Sequence, residues 1–117
     1  MRYEARAELQ IESQRLLSLK AGDAVSLGRR DTTWPGWCWV TDEAGESAWM
    51  HESMFESTAK DRAIAKEPYR AQELSVRKGD ILKSLRELGG WHWCRKVDGT
   101  EGWTPAYNLR PVDEETL

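Results

Sequence analysis

The sequence predicts an all-β protein that consists of two small β-barrels in tandem. Three observations lead to this prediction: an internal repeat of about half the chain, period-two alternation of apolar residues in each copy, and turn residues between the apolar stretches. The chain has 117 residues, and domains of about 60 residues are near the smallest that fold alone. The length therefore fits either one ordinary domain or two minimal ones, and the internal repeat favours two.

The repeat consists of three blocks that occur twice in the same order. The matching segments are 17–23 (LSLKAGD) with 74–80 (LSVRKGD), 36–39 (GWCW) with 90–93 (GWHW), and Trp49 with Trp103. The first block is offset by 57 residues and the other two by 54. The first copy therefore carries three extra residues between the blocks, and we place them in a loop at 31–35, where the flanking strands keep their register.

Short strands and tight turns follow from the local pattern. In both copies leucine and valine alternate with small or polar residues on either side of a Gly-Asp turn, at 22–23 and at 79–80. Residues 91–97 are predicted to form a strand that turns at Asp98-Gly99 and pairs with 101–104. The dipeptide is typical of a two-residue hairpin turn, which requires positive φ.

A segment of small and charged residues at 57–62 is predicted to be the linker between the copies. The predicted domains are accordingly 1–57 and 58–117.

Composition and charge argue against several classes of function. Seven tryptophans in a chain with 39% hydrophobic residues indicate that aromatic side chains supply much of the buried area. A net charge of −3 without a long basic run argues against nucleic-acid and membrane partners, since both require a concentrated positive field. The N-terminal residues lack the apolar region of a signal peptide, and no apolar stretch approaches the length of a membrane span.

Cysteine and histidine content predicts neither catalysis nor metal binding. The two cysteines, Cys38 and Cys94, are too few for a secreted disulfide scaffold, so we expect a cytoplasmic protein. With His51 and His92 they do not have the spacing of a metal site. Cys94 and His92 lack the third group that orients a nucleophilic pair. We therefore expect no metal, no cofactor and no enzymatic activity.

Four blocks of the second copy together resemble the SH3 domain, and in particular the variant SH3 domains that occur in tandem in bacterial proteins. The segments that carry the resemblance are 65–69 (AKEPY), 74–80 (LSVRKGD), 90–93 (GWHW) and 102–109 (GWTPAYNL). The first copy has 5–9 (ARAEL), 17–23, 36–39 and 48–55 (AWMHESMF) in the same order. The resemblance covers nearly the whole chain and implies two SH3-like barrels that bind peptides or proteins, proline-rich peptides among them.

The resemblance also implies where such a ligand binds, because SH3 domains receive polyproline II peptides in an aromatic groove. In the second copy the implied groove residues are Tyr69, Trp91, Trp103 and Pro105, with Tyr107 and Asn108 near the place of the last groove tyrosine. In the first copy the aromatic set is reduced to Trp37 and Trp49, with Leu9, His51 and Met54 at the other positions. The second copy is therefore expected to be the better binding site.

The groove tryptophans leave an alternative open. They either face a ligand or pack between barrels or between chains, which would make the protein a structural or self-associating one, since exposed apolar patches mark interfaces. By strand alternation, Trp39 and Trp93 are expected on the same side as the groove tryptophans. The chain is expected to be a monomer or a weak homodimer.

Three acidic residues near the implied groove, Glu73, Glu87 and Glu101, have two interpretations. Each either pairs with an arginine or lysine of a ligand or is a solvated surface carboxylate.

Overall fold

The computed structural model describes residues 1–113. In this range the regular structure is β-strand, apart from two short 3₁₀ helices at Glu52–Met54 and Ala106–Asn108. In chain order the strands are β1 (Arg2–Ala5), β2 (Ser18–Leu19), β3 (Ala24–Arg30), β4 (Trp37–Asp42), β5 (Ser47–His51), β6 (Phe55–Ala59), β7 (Arg62–Ala65), β8 (Tyr69–Arg70), β9 (Ile81–Leu88), β10 (Trp91–Lys96), β11 (Glu101–Pro105) and β12 (Leu109–Pro111). The predicted all-β fold is confirmed.

The strands belong to two compact units. The central unit is the continuous segment Arg15–Gln72, and the terminal unit combines Met1–Gln14 with the chain from Glu73 onward. Each unit contains a five-stranded antiparallel sheet, with the strand order β5-β4-β3-β7-β6 in the central unit and β11-β10-β9-β1-β12 in the terminal unit. In the central unit the short strands β2 and β8 form a further antiparallel pair.

This grouping differs from the predicted domains 1–57 and 58–117, of which residues 114–117 lie outside the described range. Residues 1–14 join the body of the second repeat, and residues 58–72 join the body of the first. The boundary differs because matching the repeats identifies equivalent segments of the sequence. It does not identify which strands pair with one another in each sheet.

Strands β1 and β7 occupy equivalent places in the two sheets. In the terminal unit Tyr3 lies opposite Leu82, and in the central unit Ala63 lies opposite Val25. Leu82 and Val25 are themselves equivalent residues of the two repeats, 57 positions apart. Each sheet therefore receives this strand from the other repeat, and the two repeats exchange one strand.

The predicted linker at 57–62 is wrong, because this segment lies in the hairpin that joins β6 and β7. Asp61 lies in its turn with a φ of 59°, and Ala59 lies opposite Arg62. The residues that follow alternate between buried Ala63, half-buried Ile64 and buried Ala65, which is strand patterning. The two buried positions are alanines, which are small and weakly apolar, so the alternation is not evident from the sequence.

The two loop predictions have different outcomes. The extra residues at 31–35 lie between the end of β3 and the start of β4, as predicted. The turn at Asp98-Gly99 joins β10 to β11, but only Gly99 of the two has a positive φ, at 92°. The Gly99 amide donates to the Lys96 carbonyl and the Lys96 amide to the Thr100 carbonyl. This is a three-residue loop with a left-handed glycine, and the predicted two-residue turn is wrong.

The core of the terminal unit draws on both parts of the chain. Its buried cluster comprises Ala5, Leu74, Val76, Leu82, Cys94 and Leu109. Tyr3 and Leu9 pack against this cluster, so the N-terminal segment supplies three of the apolar side chains around it. Burial of apolar surface is the main stabilising contribution in a small domain, and loss of these residues would expose the cluster.

A cross-strand ion pair favours the exchanged arrangement. Arg110 on β12 lies opposite Glu4 on β1, and its guanidinium donates to the Glu4 carboxylate. At the equivalent place in the central unit, Glu56 lies opposite Ile64. If each repeat kept its own strand, Glu4 would lie opposite Glu56, and like charges directly across an antiparallel pair are destabilising. Charge therefore opposes the arrangement without exchange.

Reversal of Arg110 should destabilise the terminal unit. Arg110→Glu places two carboxylates opposite each other, and we expect the free energy of unfolding to fall by about 1 kcal/mol. Adding Glu4→Arg restores opposite charges and should recover most of the loss. Urea denaturation at low salt measures both effects without screening the pair. As a control, Glu8→Arg changes the net charge equally at an exposed residue outside the pair; equal recovery with this variant would contradict the proposed role of the pair.

Candidate functional site

The tryptophans of β4 and β10 alternate with buried residues, and Trp39, Trp91 and Trp93 are half-buried, whereas Trp37 is buried. Along β10, His92 and Cys94 are buried, whereas Trp91 and Trp93 are half-buried. This is the period-two alternation of a strand with one face in the core. It leaves part of Trp91 and of Trp93 exposed to solvent.

Four residues of the terminal unit form what we call the terminal aromatic face: Trp91, Trp93, Trp103 and Pro105. Trp91 lies opposite Pro105, and Trp93 lies opposite Trp103. The rings of Trp93 and Trp103 meet edge to face, with centroids 5.3 Å apart and planes at 72°. Pro105 is buried and Trp103 is only 5% exposed, so Trp91 and Trp93 provide most of the accessible ring surface.

A fixed carboxylate borders this face. The indole nitrogen of Trp93 donates to Glu101 Oε1 at 2.8 Å, and Arg95 Nε donates to Glu101 Oε2 at 3.0 Å. Glu73 forms a parallel bridge with Trp103, whereas the Glu87 carboxylate lies 3.5 Å from the ring of His92. Of the three predicted acids, Glu73 and Glu101 thus lie beside the terminal aromatic face.

Of the predicted groove residues, Tyr69 belongs to the central unit, whereas Trp91, Trp103 and Pro105 belong to the terminal unit. Tyr69 lies opposite Leu19, and its buried hydroxyl donates to the Trp49 carbonyl. The sequence contained no signal of this placement, since the tyrosine matches its motif equally well in either unit.

Leu9 takes the corresponding position in the terminal unit, where it pairs with Val76. Val76 is the repeat equivalent of Leu19, the residue that faces Tyr69 in the central unit. Because of the exchange, the residue at this groove position in each unit comes from the other repeat. It is a tyrosine in the central unit and a leucine in the terminal unit.

Asn108, a predicted ligand residue, has a structural role. It is 3% exposed, its side-chain nitrogen donates to the Ala7 carbonyl, and its side-chain oxygen accepts from the Ala7 amide, both at 3.0 Å. These two bonds hold the N-terminal segment in the terminal unit, as a buried amide requires. Its neighbour Tyr107 is 60% exposed.

The central unit presents a related set of aromatic residues. Trp37 lies opposite His51, with ring centroids 5.4 Å apart and an edge-on geometry. Trp39 lies opposite Trp49, and both rings are half-buried. Trp37 is 4% exposed, so of the two predicted groove tryptophans only Trp49 offers substantial ring surface.

A buried histidine lies on the core side of β10. His92 Nδ1 is 2.7 Å from the Ser84 hydroxyl, and its ring meets that of Tyr3 edge-on, with centroids 4.9 Å apart. Burial lowers the pKa of His92 below its ordinary value, although the Glu87 carboxylate raises it in part. The neutral ring is thus the form that the fold favours.

The two cysteines have the character of core residues. Burial raises the pKa of Cys94 to about 11, with partial compensation from the Thr104 hydroxyl. Burial likewise raises the pKa of Cys38, with nearby Arg30 acting in the opposite direction. Because the thiolate is the nucleophilic form, neither cysteine is activated at neutral pH.

Two features are absent from residues 1–113. No group of three or more histidine, cysteine, aspartate or glutamate side chains in this range is arranged to hold a metal ion. Nor does this range contain a helix of the length and apolarity needed to cross a bilayer.

The pKa of His92 predicts a pH-dependent stability. The unfolded histidine titrates near pH 6.5, and the folded one titrates lower. As the pH falls below about 6.5, the unfolded chain binds the proton first, so the free energy of unfolding should decrease. His92→Gln should reduce the difference in unfolding free energy between about pH 7.5 and about pH 5.5, as measured by urea denaturation. If the difference in unfolding free energy between the two pH values is unchanged in this variant, the pH dependence does not come from His92.

The fold and these faces define a class of protein. Both units are SH3-like. Each has a five-stranded antiparallel sheet, a 3₁₀ helix directly before one edge strand (β6 in the central unit, β12 in the terminal unit), and tryptophans on the outer side of the sheet. Residues 66–112 match the variant SH3 domain family. The matched segment begins in the central unit and continues through the strands of the terminal unit.

A comparison with curated proteins gives a distant relative. The mouse protein "SH3 and PX domain-containing protein 2B" is 24% identical over 131 aligned residues, which cover 98% of this chain and 14% of the mouse protein. The chain therefore spans about one seventh of that relative. No solved structure matches the chain significantly.

Proposed function

We propose that the protein is a non-catalytic peptide-binding module and that the terminal aromatic face is its main binding surface. The observation that carries the proposal is the placement of two half-buried tryptophans, Trp91 and Trp93, on the same face of strand β10. Aromatic side chains supply large, rigid contact area at a low cost in conformational entropy. Tyr107 follows Pro105 by two residues in the chain and is 60% exposed, so it is a candidate to extend this surface.

The chemistry of this face favours a proline-rich ligand that carries a basic residue. Polyproline II segments dock on aromatic surfaces and are largely ordered before they bind. The Glu101 carboxylate accepts from Trp93 and Arg95, so its negative charge is held at the border of the terminal aromatic face, and carboxylates form charge-assisted hydrogen bonds with arginine. A ligand arginine can therefore share this carboxylate while its prolines contact the tryptophans.

The comparisons support the class of ligand. The variant SH3 match covers β10 and β11, and SH3 domains are modules that receive proline-rich peptides. A cytoplasmic location is the accompanying proposal, and it rests on two cysteines that are both unpaired thiols.

Loss of Trp91 should abolish most of the binding. We expect Trp91→Ala to weaken binding of an arginine-flanked polyproline peptide at least tenfold, because truncation of a central interface tryptophan costs roughly 2 kcal/mol or more. Isothermal titration calorimetry measures the affinity. Val97→Ala is the matched control, since Val97 is 92% exposed in the β10–β11 loop and lies outside the terminal aromatic face.

Thermal unfolding of the same variants separates binding from folding. Equal loss of stability and of affinity in Trp91→Ala would show that the tryptophan is structural. Sedimentation of the unliganded protein tests self-association, and a concentration-dependent dimer that excludes the peptide would contradict the proposal.

A further inference from the structure

Equivalent tryptophan pairs in the two units have the same geometry. Trp39 and Trp49 of the central unit meet edge to face, with centroids 5.1 Å apart and planes at 71°. The equivalent pair, Trp93 and Trp103, has values of 5.3 Å and 72°. The two pairs lie in the same register between their strands. A difference in what they bind must therefore come from the residues around them.

The next residues along the strands differ in charge. In the terminal unit Arg95 and Glu101 lie opposite each other, and the Glu101 carboxylate reaches the Trp93 indole. The equivalent residues in the central unit are Thr41 and Ser47, whose hydroxyls form a hydrogen bond of 2.7 Å. The carboxylate that borders the first pair is thus replaced by a neutral hydroxyl beside the second.

Two arginines occupy the ring faces of the central pair. The Arg15 guanidinium lies 5.1 Å from the centroid of Trp39. The Arg29 guanidinium lies 5.8 Å from the Trp39 ring and 5.4 Å from the Trp49 ring. All three distances are within the range of cation–π attraction, which holds a guanidinium by its flat face.

Stacking positions these arginines for recognition of an anion. A guanidinium that lies over a ring keeps its N–H groups directed outward around its edge, and their fork geometry matches a carboxylate. Arg15 and Arg29 are both exposed, whereas the nearby Arg30 is paired with Glu52. Tryptophan and arginine are also the side chains most enriched among the residues that dominate binding energy at interfaces.

We propose that Trp39, Trp49, Arg15 and Arg29 form a second binding face, selective for an acidic segment of a partner protein. The proposal rests on the proposed peptide-binding function and assigns to this face the opposite charge preference from the terminal aromatic face. The net charge of the whole chain is −3, so an acidic ligand is attracted by these local guanidiniums and not by the overall field.

The experiment compares two peptides on the intact protein by NMR, with the tryptophan indole N–H signals as the readout. One peptide alternates glutamate and proline, and the other alternates lysine and proline. The glutamate peptide should shift the signals of Trp39 and Trp49, and the lysine peptide should shift those of Trp91 and Trp93. The two faces are thus read separately, so failure of one proposal is distinguishable from failure of the other.

Charge-matched variants test the role of the arginines. Arg15→Gln with Arg29→Gln should weaken the glutamate peptide about tenfold, since each exposed charge contact contributes a factor of roughly three. Lys20→Gln with Lys60→Gln makes the same change in net charge at exposed residues in two turns and should leave the affinity unchanged.

Three results would overturn the proposal. They are the absence of shifts at Trp39 and Trp49 with the glutamate peptide, equal weakening by the lysine variants, and equal shifts with a single-stranded oligonucleotide of the same charge. The last result would show that the face binds polyanions in general.

Discussion

The position of β1 between β9 and β12 is the constraint on which the terminal unit depends. Its backbone pairs with both strands, and its residues Tyr3 and Ala5 complete the apolar cluster. Backbone amides and carbonyls inside a sheet must be paired, so β9 and β12 require a strand that their own repeat does not supply. Strand β7 fulfils the same requirement in the central unit, between β3 and β6.

The exchange also determines the composition of each aromatic surface. A groove residue carried on the exchanged segment, such as Tyr69, moves to the unit of the other repeat, whereas tryptophans on β4, β5, β10 and β11 stay with their own. The two units therefore become less alike than their sequences suggest. The central unit combines a tyrosine and arginines with its tryptophan pair. The terminal unit combines a leucine, a buried proline and a fixed carboxylate with its own pair.

Much of the fold could be predicted from local pattern, because alternation, turn residues and the repeat all act over short distances. The strand at 91–97, the loop at 31–35 and the outward direction of Trp91 and Trp93 followed from such signals. The strands that pair with β1 could not be predicted in this way, because by local pattern β1 and β7 fit equally well at the equivalent position of either sheet. Their assignment depends on long-range contacts such as the Glu4 ion pair, which no spacing in the chain reveals.

The site was predictable to the same extent and for the same reason. Motif positions identified the tryptophans, but the role of Asn108 depends on the Ala7 backbone, which lies about a hundred residues away in the chain. The stacked Arg15 carried no motif at all. It enters the proposed second binding face only because the strand arrangement places its guanidinium over Trp39.

The connections at Gln14 and Glu73 give the molecule a nested organisation. The side chain of Gln14 bonds both the amide and the carbonyl of Glu73, so the chain leaves the terminal unit and re-enters it at adjacent points. One barrel is thus a continuous insertion into a loop of the other. Fragments cut at the midpoint of the chain would each lack a strand, whereas excision of residues 15–72 would remove one complete unit and leave ends that a short loop could join.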